Sequence, residues 1–197
     1  PRTKEVQKPM HLADVLKLSK SFWIVVAFGF VFNLARFSEA FLLLRAESVG
    51  VALSMIPVML MVMNLVYSLS AYPLGRLSDR IGRNGLLGAG LAVLIVSNLS
   101  LAFAGTGYHV AAGAALWGLH MGLTQGLLAA MVADKALYNL RGTAFGIFNL
   151  AGGIALLAAS LMAGGLWEQF GARAPFFMGA SIATTVFTGN LIFRKYL

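Results

Sequence analysis

Apolar positions in this chain come in long unbroken runs. Six stretches, over about residues 22–44, 52–74, 85–104, 111–133, 142–166 and 175–192, carry almost no charge. Each is close to the ~20 residues that an α-helix needs to cross a bilayer. Backbone polar groups in hydrocarbon must be satisfied internally, so these runs are expected as helices. The connections between them are short, which makes sequence neighbours antiparallel neighbours in space. The predicted fold is an all-α integral membrane protein with six transmembrane helices over residues 21–197. Residues 1–20 are polar and basic. Leu12, Val15, Leu16 and Phe22 recur there at helical spacing, which predicts a short amphipathic helix on the membrane surface over 11–20, with His11 solvated.

Within the runs, Pro57 lacks a backbone donor and is expected to kink the second span. In the fourth span Ala114, Gly118, Gly122, Gly126 and Ala130 form a ridge of small residues on which another helix can pack closely. Met55, Met59, Met61 and Met63 crowd the second span, where lipid or core packing accounts for them.

Composition agrees with the pattern: 59% of residues are hydrophobic, 11% are charged, and mean hydropathy is +0.81. These values exclude a soluble domain. The net charge of +8 does not indicate nucleic acid, because the basic residues sit at span ends and not on one face. If residues 1–20 are cytoplasmic, that side also collects Arg76, Arg80, Arg83, Lys135, Arg141, Arg194 and Lys195, leaving Arg45 and Arg173 outside. This bias predicts both termini in the cytoplasm. The sequence has no cysteine and only three histidines, which are scattered, so neither a disulfide framework nor a metal centre is expected. No phosphate-cradling glycine loop, HExxH helix or nucleophile–base pair is present, so neither an enzyme nor a cofactor is expected. The chain starts at Pro1 without a methionine or signal peptide and reads as a piece of a longer protein.

A charge inside a span is expensive and indicates function by default. Arg36 and Glu39 in the first span are such charges, with Asn33 one turn earlier. At spacings of three they would share one stripe of a helix facing other helices or a water-filled cavity. The alternative is a self-satisfying ion pair that only holds the helix.

The most specific motif is Gly75-Arg76-Leu77-Ser78-Asp79-Arg80-Ile81-Gly82-Arg83, a charged turn between the second and third spans. Gly75 can end the incoming helix, and Gly82 permits the reversal. The stretch resembles the signature loop of the major facilitator superfamily of transporters at Gly75, Leu77, Ser78, Asp79, Arg80, Gly82 and Arg83; Asn84 replaces the usual final basic residue. Residues 141–146 and 166–171 look like weaker family phrases.

The resemblance implies the C-terminal half of a twelve-helix transporter, built as two inverted three-helix repeats. Residues 1–20 would then end the cytoplasmic linker between halves. The first and fourth spans would line a central cavity, adding Trp117, His120, Met121, Thr124 and Gln125 to Asn33, Arg36 and Glu39. Asn149, Asn64 and Tyr67 are secondary candidates. His120 could equally hydrogen-bond a backbone carbonyl, and Trp117 could simply pack. Arg83, Asp134 and Arg141 would form a cytoplasmic charge cluster that latches one conformation, and Asp79 would meet a helix N-terminus of the other half. The implied function is a secondary active transporter of a small organic solute in the inner membrane. Proton coupling would run through Glu39, and export is favoured over import. Its partners would be the N-terminal half, the bilayer, the solute and protons. The alternative is a non-transporting scaffold or receptor on the same fold.

Overall fold

A computed structural model describes residues 18–192, except for the side chains of residues 78–81 and 84. The amphipathic segment expected over 11–20 therefore lies almost wholly outside the described residues. Seven α-helices occur in the described chain: α1 Lys20–Leu34, α2 Ala40–Ser48, α3 Ile56–Ile81, α4 Arg83–Ala102, α5 Gly107–Lys135, α6 Arg141–Phe170 and α7 Ala174–Ile192. Helices α3 to α7 are each long and apolar enough to cross a membrane. The first predicted span is α1 and α2 in series, separated by residues 35–39.

Local chemistry sets the ends. Ser19 Oγ accepts from the Phe22 N–H at 3.1 Å and caps α1, and the Thr106 side chain caps α5 by accepting from the His109 N–H. Pro57 is the second residue of α3, in the first turn where its missing N–H matters little, so the expected kink has no basis there. Pro73 lies inside the same helix instead. Gly75 does not end α3, which continues through the charged motif to Ile81. The reversal falls on Gly82 alone, with φ 78°, a left-handed conformation that glycine adopts without a Cβ penalty.

Helix α5 is the hub, packing against α1, α2, α3, α4 and α6; α4 also packs on α7, and α1 on α6. The small-residue ridge meets α3 as expected. A Cβ at Gly118 would run into the Met63 carbonyl, and one at Gly122 would run into Ser70 Oγ. At Gly126 the ridge has no neighbour within 4 Å. The helices have parted there, leaving a cavity of about 320 Å³ between α3, α5 and the start of α4.

The buried core divides into two clusters. Phe37, Phe41, Met63, Leu101, Trp117 and Phe176 belong to the one at the Arg45 end. Phe22, Phe32, Leu87, Leu91, Leu128 and Met131 belong to the one at the Arg83 end. The break in the first span falls between them. Helices α3 and α6 are mostly uncovered: 17% and 11% of their apolar windows are buried, against 56% for α4 and α5. Met61, Leu65 and Leu69 on α3, and Leu150, Leu157 and Leu161 on α6, are therefore left to lipid or a partner.

Candidate functional site

The break between α1 and α2 contains neither glycine nor proline. Tertiary contacts hold it. The last turn of α1 tightens as Ala35 N–H bonds Phe32 O and Arg36 N–H bonds Asn33 O, both at 3.1 Å. Phe37 turns into the aromatic core, with ring centroids 5.3 Å from Phe41, 5.4 Å from Phe176 and 5.6 Å from Trp117. The Ser38 N–H, freed from helical bonding, donates to Ser160 Oγ of α6 at 3.1 Å, and Ser38 Oγ accepts from the Ala40 N–H at 3.3 Å. Backbone groups released inside a membrane need such partners.

The expected stripe of Asn33, Arg36 and Glu39 on one continuous helix is therefore not formed. Only Asn33 is helical in α1, where its Nδ2 donates to Gly29 O at 2.8 Å. Arg36 lies in the break, and Glu39 is the N-cap residue of α2, with no side-chain capping bond. Nor does the alternative of a self-satisfying pair hold, since Arg36 and Glu39 make no ion pair within 4.0 Å. The guanidinium lies 6.0 Å from the Phe32 ring centroid, and its enclosed Nε has no hydrogen-bond partner in the protein. Glu39 and Tyr67 are its electrostatic neighbours.

Tyr67 links the break to the cavity, which it lines together with Met121, Gly122 and Gly126; its hydroxyl donates to Gln125 Oε1 at 2.8 Å. The other fourth-span candidates turn into the bundle. His120 is fully buried, with Nδ1 2.8 Å from Gly90 O, Nε2 without a partner, and its ring 5.5 Å from Phe32. Thr124, also fully buried, donates to His120 O at 2.8 Å. Trp117 is 1% exposed, and its indole Nε1 has no partner. Asn149 on α6 is exposed, as is Asn64, whose Nδ2 returns to Leu60 O at 2.8 Å.

At the Arg83 end, α4 begins beside the end of α5, and Arg83 Nη1 pairs with Asp134 Oδ2. Arg141 does not join them; its guanidinium lies over the Tyr138 ring at 5.4 Å. The side chains of Asp79 and Arg80 lie outside the described residues.

Sequence reasoning treated Arg45 only as an outer-side charge, but it is 4% exposed and built into the fold. Its Nε donates to Leu101 O at 2.9 Å, and Nη2 donates to Ala102 O at 3.2 Å and Ala104 O at 2.6 Å. It thus closes the carbonyl end of α4, where a cation is favoured. Its position directly after the first predicted span, in the last turn of α2, carries no signal of this, because its acceptors lie more than fifty residues away in the chain.

The sequence profile of the Major Facilitator Superfamily matches residues 15–196. The uncharacterised MFS-type transporter MJ1317 of Methanocaldococcus jannaschii is 31% identical over 160 residues, covering 78% of this chain and 40% of that protein. The inner membrane transport protein YajR of Escherichia coli is 28% identical over 162 residues, covering 80% of this chain and 35% of that protein. The chain thus spans well under half the length of these relatives.

Proposed function

The chain belongs to the Major Facilitator Superfamily, and from that premise we propose that it is the C-terminal six-helix half of a secondary active transporter moving a small organic solute by alternating access. The observation that carries this reading is the break at residues 35–39, which places two charged residues, Arg36 and Glu39, where the helix is interrupted within the span. A non-transporting scaffold would favour a continuous, sealed helix at that position. Non-helical backbone at membrane depth is tolerated where it is buried in protein or lines a water-filled cavity, and the broken helices of transporters are such cases.

Arg36 and Glu39 are the charged groups of the solute site, and Tyr67 and Gln125 are its polar wall. Glu39 carries the coupling proton. Trp117, His120 and Thr124 support the site from within the bundle. Arg83 and Asp134 latch the Arg83 end, which lies on the cytoplasmic side together with both termini, in the inner membrane. An ion pair between two helix ends is a bistable contact: it is present when those ends are together and absent when they part. The uncovered faces of α3 and α6 suit the N-terminal half.

The test is reconstitution. Full-length protein in liposomes should show saturable, proton-linked solute movement, and this chain alone should show none. Saturable coupled uptake by the chain alone would overturn the half-transporter reading.

A further inference from the structure

Three enclosed polar atoms border the break without a partner in the protein: Arg36 Nε, Trp117 Nε1 and His120 Nε2. Their residues are joined through two phenylalanines. The Trp117 ring is 5.6 Å from Phe37, the His120 ring is 5.5 Å from Phe32, and Phe32 lies 6.0 Å from the Arg36 guanidinium. Trp117 and His120 are 1% and 0% exposed, so bulk water does not satisfy them. An indole nitrogen and a guanidinium Nε can only donate. His120 Nδ1 faces the Gly90 carbonyl and must donate to it, which leaves Nε2 of the neutral ring as an acceptor.

Helix α2, with Glu39 as its N-cap residue, begins beside these groups, and its first N–H groups are already taken: Ala40 N–H by Ser38 Oγ at 3.3 Å and Phe41 N–H by Ser38 O at 3.1 Å. Two unfilled donors, one of them cationic, complement an anionic oxygen. Buried waters could fill the hydrogen bonds, but they would bring no charge into contact with a guanidinium that faces Glu39 without a direct ion pair.

We propose that the transported solute is an organic anion whose acidic group is received at the α1–α2 break by Arg36 and Trp117, with the Glu39 proton travelling alongside it. This rests on the transporter reading above. The charge balance supports it. With the site empty, cationic Arg36 is offset by ionised Glu39. With the anion bound, Arg36 is offset by the solute, and Glu39 must take a proton for the site to stay neutral. Both forms that cross between the two sides are then neutral at the break. Tyr67 on α3 and His120 on α5 are the other titratable groups within the field of Arg36. Proton and anion move in the same direction, so an inward proton gradient drives uptake. That sign opposes the export favoured by resemblance. His120 Nε2, as an acceptor, suits a hydroxyl on the solute.

The test uses liposomes containing the full-length protein and an internal pH dye. Gluconate, succinate and hippurate are added outside in turn, and then the corresponding amides. The expected result is saturable acidification with at least one carboxylate and with none of the amides. Arg36→Gln should abolish it. Trp117→Phe, which keeps the ring packing, should raise the KM about tenfold with little change in kcat, as loss of one hydrogen bond to a charged group implies. Proton movement with amides alone, or an unchanged KM in Trp117→Phe, would overturn the anion assignment and leave the transporter reading standing. Absence of proton movement with either set would overturn both.

Discussion

The Ser38 N–H and Ser160 Oγ, 3.1 Å apart, stitch the broken first span to α6. Ser160 Oγ also donates to Leu156 O of its own helix at 2.8 Å, so the hydroxyl is held in place to accept. One small side chain thereby replaces the helical acceptor that the Ser38 backbone lost. Ser160→Ala would leave that N–H unpaired inside the bundle, at a cost of about 1–3 kcal/mol. Thermal unfolding in detergent should occur at lower temperature, and hydrogen exchange at residues 36–40 should speed up. Unchanged exchange at those amides would mean that the break does not depend on α6.

Arg45 should matter more to stability than any other charged side chain outside the break. Arg45→Ala would leave the carbonyls of Leu101, Ala102 and Ala104 without their cation. The expected loss is about 3 kcal/mol or more, from hydrogen bonds to a charged group. Arg45→Lys should recover only part of it, because an ammonium cannot reproduce the planar fork that spans three carbonyls. Denaturation midpoints of the two variants measure the difference, and full rescue by lysine would contradict the clamp.

The glycine ridge makes opposite predictions at two positions on one helix. Gly118→Ala drives a methyl group into the Met63 backbone and should destabilise by about 1–3 kcal/mol, as overpacking does. Gly126→Ala meets nothing within 4 Å and should be neutral or stabilise by up to ~1 kcal/mol, through helix propensity. Equal effects at both sites would contradict the divergence of α3 and α5.

The Arg83–Asp134 pair is about half exposed, with side chains 40% and 51% accessible, so its direct contribution to stability should be ~1 kcal/mol or less. Its effect should appear in turnover. Asp134→Asn should leave the unfolding temperature nearly unchanged and alter the rate of solute exchange, and the swapped pair Arg83→Asp with Asp134→Arg should restore that rate. A large fall in stability with normal exchange would make the pair structural.

Much of this was legible in the sequence, for identifiable reasons. The runs that became α3 to α7 are long and uncharged, so length and apolarity sufficed. The Gly118 and Gly122 contacts followed from spacing, and the reversal at Gly82 followed from glycine's access to positive φ. The break at residues 35–39 was hidden because Ala35-Arg36-Phe37-Ser38-Glu39 contains no helix breaker; it exists because Phe37 finds an aromatic pocket and Ser160 supplies an acceptor. Helix α3 passed Gly75 for a related reason, since a glycine permits a stop without enforcing one. The pairing of Arg83 with Asp134 was readable from motif and position, whereas the diversion of Arg141 onto Tyr138 depends on a turn at residues 138–140 with no comparable signal.

The coupling role of Glu39 is the central claim, and one comparison tests it directly. Glu39→Gln and Arg36→Ala, made in the full-length protein, are reconstituted in liposomes under an imposed pH gradient, with accumulation and downhill exchange both recorded. The glutamine keeps the shape of the protonated carboxyl and removes the charge, so Glu39→Gln should lose accumulation against the gradient and retain exchange. Arg36→Ala should lose both, because the solute's cation is gone and Glu39 is left without its counter-charge. Accumulation by Glu39→Gln at the wild-type level would contradict the account and make Glu39 a structural residue.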